Sequence, residues 1–197
     1  MSRTALAFMS YVNLNDPHEN GKMTQFCERL KTEVQMQTCE PFEIVHDRGS
    51  IAWSQQWDER IYDSLDAVTF LIPIITPAFF KSYFCRHELE CFLETEQELG
   101  INNLIIPIYY VNCLVLQDKS KREHDEIAQA VSVRKYADWR ELRFESFASP
   151  KIGKALAKLA QYIAVAMEQT TAATEQPQPT VVVDARHCGD YSTLTKA

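Results

Sequence analysis

Glycine is scarce in this chain: five in 197 residues, at positions 21, 49, 100, 153 and 189. Spaced so widely, they form neither a dinucleotide-binding G-x-G-x-x-G turn nor a phosphate-cradling P-loop, which excludes the two commonest glycine-dependent nucleotide sites. The six cysteines (Cys27, Cys39, Cys85, Cys91, Cys113, Cys188) contain no C-x-x-C pair, which excludes zinc-ribbon and thioredoxin chemistry. They are expected to be mostly buried, reduced thiols. Positive charge is also short. Twenty Lys and Arg stand against 27 Asp and Glu, for a net charge of −7, and they are scattered, so no nucleic-acid footprint is expected. The longest nearly apolar run, Ala67 to Phe80, carries Thr69, Pro73, Thr76 and Pro77 and falls short of the roughly 20 residues of a membrane helix. Met1-Ser2-Arg3-Thr4-Ala5 leads into a strand-like run without a separate apolar signal region, so a soluble, cytoplasmic protein is expected with no membrane partner.

What is present is enough apolar material, 46% hydrophobic and 11% aromatic, for one core with appendages. Ala5 to Tyr11 reads as a buried strand feeding a polar loop at Asn13 to Pro17. Between Gly21 and Gln37, Met23, Phe26, Cys27, Leu30 and Val34 recur at helical spacing, and Phe42 to Val45 follows as a strand. Asp47 and Gly49 mark a turn, and Trp57, Ile61 and Leu65 suggest a second helix. Ala67 to Ile74 has the character of a central parallel strand. Ser82 is placed to cap a third helix running to Leu99, with Cys85, Leu89, Phe92 and Leu93 facing the sheet and Gly100 at its end. Leu104 to Tyr110 reads as a strand in which Pro107 marks a bulge or an end. The charged run Lys119–Glu126 is expected to loop into a short helix ending near Val131, Val133–Tyr136 to form a fifth strand, and Pro150–Glu168 to form the closing helix.

Alternating strands and helices with short connections predict an α/β fold, a doubly wound, flavodoxin-like parallel sheet of about five strands flanked by helices. The ligand crevice of such a sheet lies beyond the carboxyl ends of its strands, which selects the loops at 11–20, 46–57 and 75–88. A phosphorelay receiver shares the layer order but needs an aspartate at a central strand end, and Phe70 to Thr76 offers none. The expected organisation is a domain over residues 1–168, a linker at 169–180 rich in Thr, Ala, Gln and Pro, and a tail at 181–197. Thr180-Val181-Val182-Val183-Asp184 with Gly189-Asp190-Tyr191-Ser192-Thr193-Leu194 looks like the first rung of a right-handed parallel β-helix, which would make the chain a fragment of a longer protein.

Three local runs then stand in order with the expected element between each pair. They are Phe8-Met9-Ser10-Tyr11 closing the first strand, Asp47-Arg48-Gly49 after the second, and Phe84-Cys85-Arg86-His87-Glu88-Leu89 on the helix after the third. Together, over roughly residues 4 to 168, they resemble bacterial TIR (Toll/interleukin-1 receptor) domains. In catalytic members, the resemblance implies, the chain hydrolyses NAD at the nicotinamide–ribose bond to give nicotinamide and ADP-ribose or a cyclic isomer, activated by self-association in bacterial defence or virulence. NAD is then a substrate and no cofactor is required. The family glutamate lies four residues after an aromatic, usually tryptophan; here the pair is Phe84 and Glu88, with phenylalanine in the tryptophan's place. Residues i and i+4 share a helix face, so a ring is offered beside a carboxylate. Nicotinamide leaves as a neutral molecule from a cationic pyridinium, so no general acid is needed and one carboxylate suffices, unlike ordinary glycoside cleavage. Glu88 is the expected catalytic residue, with Phe84, Tyr11, Ser10, Asp47, Arg48 and Ser82 as the expected substrate-binding group.

Each has a plainer reading: a solvated helix carboxylate for Glu88, a core aromatic for Phe84, a strand-end aromatic for Tyr11, an Asx turn for Asp47 and a surface cation for Arg48. Trp53 and Trp57 read as packing residues. His18, His46 and His87 have no metal-ligand spacing, and Cys85 lacks a base partner, so neither a metal site nor a thiol nucleophile is expected. The alternative function is a non-catalytic TIR scaffold, assembling by TIR–TIR contacts that include the 46–57 loop.

Overall fold

The computed structural model describes residues 5–12, 17–45 and 69–174, and the elements below are numbered within them. The expected β-helix rung at 181–197, most of the linker, and Asp47, Arg48, Trp53 and Trp57 lie outside the described residues.

Five parallel strands form one sheet: β1 (Ala5–Ser10), β2 (Phe42–Val45), β3 (Thr69–Ile75), β4 (Ile108–Tyr109) and β5 (Ala137–Asp138), in the order β2-β1-β3-β4-β5. This is the doubly wound architecture that the element pattern predicts. From β1 the chain crosses outward to β2, and from β3 it crosses in the opposite sense to β4 and β5. Since parallel crossovers are right-handed, the two sets of connecting helices fall on opposite faces. Accordingly, α1 (Pro17–Thr38) packs with the final helix α6 (Pro150–Thr174), while α2 (Tyr83–Leu99) packs on β3 and on α5 (Glu126–Ser132).

Pro73 stands inside β3, where a missing N–H should weaken a central strand. The ladder accommodates it: β3 pairs with β1 from Leu6↔Thr69 to Ser10↔Pro73, and on its other side it bridges Leu71↔Ile105 and then pairs with β4 from Ile74↔Ile108, so Pro73 falls between the two stretches of pairing on that side. Pro107 likewise divides the expected 104–110 strand into an isolated bridge, Leu71↔Ile105, and the two-residue β4. Its carbonyl still accepts from Ala137 N–H at 3.0 Å.

Three boundaries differ from expectation. The fifth strand is Ala137–Asp138 rather than Val133–Tyr136, because α5 runs to Ser132 and the chain needs the intervening residues to turn back. The charged 119–126 segment is itself largely helical, as α4 (Lys119–Glu123) after a short α3 (Leu114–Gln117), since Asp118 caps α4 by accepting from Ser120 and Lys121 N–H. The closing helix continues past Glu168 to Thr174, so residues 169–174 are helix rather than linker. Thr170 is buried and its hydroxyl donates to Ala166 C=O, and Gln169 accepts from Asn103, so this turn has partners that composition does not reveal.

The core lies between the sheet and both helix layers. Phe26 of α1 meets Trp139 edge-on at 4.9 Å, and Met9, Leu30, Phe70, Leu71, Ile72 and Leu89 are fully enclosed. Cys27 is part of it, with its thiol 3.6 Å from Met9 sulfur. Burial pushes both Cys27 and Cys113 up to about 12, far from thiolate formation. Cys39, at the end of α1, is exposed. Alkylation of the folded protein at mildly alkaline pH, followed by mass spectrometry, is therefore expected to label Cys39 first and Cys27 and Cys113 only on unfolding. Labelling of Cys27 as fast as Cys39 would contradict this packing.

Candidate functional site

In a sheet ordered 2-1-3-4-5, the winding reverses between β1 and β3, and the crevice opens beyond the carboxyl ends of those two strands. Two elements meet there. β1 ends at Ser10, which is fully buried, and the chain leaving β3 turns through a 3₁₀ segment, Phe79–Lys81, into α2. Ser82 starts α2 by accepting from Cys85 N–H at 3.3 Å, the N-cap the sequence suggests. Gly100 ends it at φ 65°, a left-handed conformation that returns its N–H to the last-turn carbonyls.

With both ends set, the rotation of α2 about its axis follows from its buried stripe of Cys85, Leu89, Phe92 and Glu96. That stripe faces the sheet, and Glu88, one position before Leu89, lies at its edge, half-buried. Its carboxylate reaches across to β1, where Ser10 Oγ donates to Glu88 Oε2 at 2.5 Å. Residues 78 positions apart in sequence are thus joined at the switch point.

Of the expected group, Ser10 and Glu88 are brought into direct contact. Tyr11 follows Ser10 and is half-buried against the core. Ser82 is engaged as the helix cap. Phe84 is 70% exposed, so the core-aromatic reading of that residue is overturned: the first turn of α2 projects its ring outward because Cys85 takes the inward position. Tyr83 is exposed beside it, with the two rings 5.9 Å apart and nearly perpendicular, and Tyr83 lies parallel to the His87 ring at 6.0 Å. Among the described residues, no group of His, Cys, Asp or Glu is arranged to hold a metal, and no helix is long and apolar enough to cross a membrane.

Sequence reasoning did not find the two ion pairs that anchor the helix carrying Glu88. Near its start, Arg86 Nη1 contacts both oxygens of Asp125, at 3.0 and 2.8 Å, and Asp125 in turn caps α5 through Ala128 N–H. Near its end, Glu96 is buried, accepts from Leu104 and Ile105 N–H at 2.8 and 3.2 Å, and pairs with Arg134. A signal existed for Glu96, which continues the 85–89–92 spacing by one more helical step.

Burial acts to raise the Asp125 carboxyl, but the Arg86 hydrogen bond and charge, with the Ala128 and Ile127 N–H groups, outweigh it and hold the carboxyl below its ordinary value. A carboxyl depressed in the folded state contributes stability that is fully present above its unfolded pKa, roughly 4, and is lost as pH falls through the folded value. Asp125→Asn is therefore expected to be less stable than wild type at neutral pH and to approach it at about pH 3. Urea melts at the two pH values check this; a gap that widens on acidification would contradict it.

A family model described as the TIR domain matches residues 8–156. Among solved structures, the TIR domains of the activated Roq1 resistosome directly recognizing the pathogen effector XopQ are similar, with 13% identity, 81% of this chain and 99% of that chain covered, and a TM-score of 0.47. Among curated proteins, none matches this chain.

Proposed function

Because this chain belongs to the TIR domain family, we propose that it cleaves NAD at the nicotinamide–ribose bond, with Glu88 as the catalytic carboxylate. The observation that supports this most is the Ser10–Glu88 contact: the one carboxylate the resemblance singles out stands at the sheet's switch point, oriented by a hydroxyl from the neighbouring strand. A solvated surface glutamate has no reason to be held there.

The chemistry asks little beyond this. As the C–N bond to the pyridinium breaks, its electron pair goes to the ring nitrogen and neutral nicotinamide departs. Positive charge then develops on the ribose. A fixed carboxylate beside it stabilises that charge more in the transition state than in the ground state. Water adds to the ribose carbon and loses a proton, giving ADP-ribose; attack by a group of the substrate itself gives a cyclic isomer instead. Phe84 and Tyr83, exposed on the same first turn, offer rings on which a flat heterocycle can stack. Asp47 and Arg48 complete the proposed binding group.

The same exposed rings favour a second role, contact between copies of the domain, and we propose self-association as the condition under which the crevice is completed. Purified protein at high concentration, incubated with NAD and followed for nicotinamide, tests the reading. Release that rises more steeply than linearly with protein concentration is expected. No release even when crowded would leave the non-catalytic assembly as the function.

A further inference from the structure

A cavity of about 290 Å³ lies on the other half of the sheet, away from β1, and Glu88 does not line it. Its floor is apolar, formed by Ile75 at the end of β3, Pro107 before β4, and Leu116 and Val131 from the overlying helices. Tyr109 and Tyr136 form one wall, their rings 5.5 Å apart and nearly perpendicular. Two guanidinium groups, Arg122 and Arg140, also line it, and among the described residues no carboxylate does.

Both cations are held in place by groups of the protein. Arg140 stands 4.4 Å over the Tyr109 ring, donates Nε and Nη2 to Asp138 at 2.9 and 2.6 Å, and donates Nη1 to Asn112 at 2.8 Å. Arg122 Nη1 donates to the Leu116 carbonyl at 2.9 Å. A guanidinium carries five N–H groups, so each named set leaves donors over. Fixing the fork beforehand reduces the side-chain entropy lost when an anion arrives. The volume is close to the lower end of small-molecule sites, roughly 300 Å³ and upward, and the lining sets an apolar floor and an aromatic wall against polar side chains, Gln117 and Ser132 beside the two arginines.

We infer that this cavity is a second ligand site, for a small anion bearing a flat heterocycle, of mononucleotide size. The ring lies against Tyr109, Tyr136 and the apolar floor, and the anionic group meets Arg122 and Arg140. The site does not depend on the chemistry proposed at Glu88, and its test uses a catalytically disabled background.

Isothermal titration of Glu88→Gln protein with AMP, adenosine and inorganic phosphate tests it. AMP is expected to bind saturably at one site by this route, and adenosine, which keeps the ring and lacks the anion, at least about tenfold more weakly. Adding Arg122→Gln should weaken AMP by about fivefold or more while leaving adenosine unchanged. Ser132, exposed at the end of α5, lines the cavity, so Ser132→Trp should fill it without disturbing the core and abolish AMP binding, with an unchanged melting profile as the folding control. Equal affinities for AMP and adenosine, AMP binding that survives Ser132→Trp, or no saturable AMP binding would each overturn the inference. Loss or retention of NAD cleavage in the wild-type background leaves these readings untouched.

Discussion

Glu88→Gln is expected to lower the rate of nicotinamide release by roughly a hundred- to a thousandfold, the scale on which removal of one preorganised electrostatic group acts. The substitution keeps the side chain's size and leaves an oxygen to accept from Ser10 Oγ, so α2 should remain in register. What it removes is the negative charge facing the developing oxocarbenium ion. The effect should therefore fall on kcat, with KM changed much less, because an interaction strongest in the transition state adds little to ground-state binding. Ser10→Ala is the informative companion. It leaves the charge and withdraws the hydroxyl that orients it, so a loss of about ten- to a hundredfold is expected, the scale of one hydrogen bond to a charged group. Steady-state kinetics of both variants, with circular dichroism to verify folding, decide the matter. A Glu88→Gln protein that retains wild-type turnover would end the assignment.

Glu96→Ala should cost about 3–5 kcal/mol of stability, the range for removing one partner of a buried ion pair. Arg134 would be left largely enclosed without its counter-charge, with side-chain exposures of 15% for Arg134 and 3% for Glu96 in the intact pair. Two backbone N–H groups, of Leu104 and Ile105, would also lose their acceptor. For a domain of this size that is a fall in melting temperature of roughly 6–20 °C. Glu96→Gln should be milder, since it retains an acceptor for the two N–H groups. Urea melts of the two variants distinguish the parts played by charge and by acceptor. A loss below about 1 kcal/mol for Glu96→Ala, the range of an exposed ion pair, would show that the pair is a surface contact after all.

These two glutamates, two helical turns apart, show how far sequence patterning reaches. Both stand in a helix with Glu90, Glu94 and Glu98, and nothing in composition separates them. Glu88 was legible through its place in a motif, four residues after an aromatic and one before an apolar stripe residue. Glu96 was legible only as an interruption, the position where an apolar stripe of 85, 89 and 92 should continue and a carboxylate stands instead. Its partners arrive by two routes: the 104–105 backbone follows directly on α2 as the chain turns back along β3, and Arg134 is brought in by the chain leaving α5. Phe84 shows the reverse: of its two readings, substrate-facing ring or core aromatic, the pattern could not choose, and the structure exposes it because one helix face cannot bury both Phe84 and the adjacent Cys85. The closing helix outran its apolar periodicity for a similar reason, since Asn103 and Ala166 offered partners to Gln169 and Thr170.

The candidate site in which Glu88 stands divides along the same line. By itself the sequence determined the alternation of strands and helices, the start of α2 at Ser82 and its end at Gly100, and the carboxylate one position off the buried stripe, because caps and periodicity act within a few residues. Only the tertiary structure decided that Ser10 meets Glu88, that Arg86 and Glu96 hold the helix at both ends, and that a cation-lined cavity forms beside β4. Those contacts join residues separated by anything from 8 to 78 positions, and they exist only once the order β2-β1-β3-β4-β5 brings their elements together.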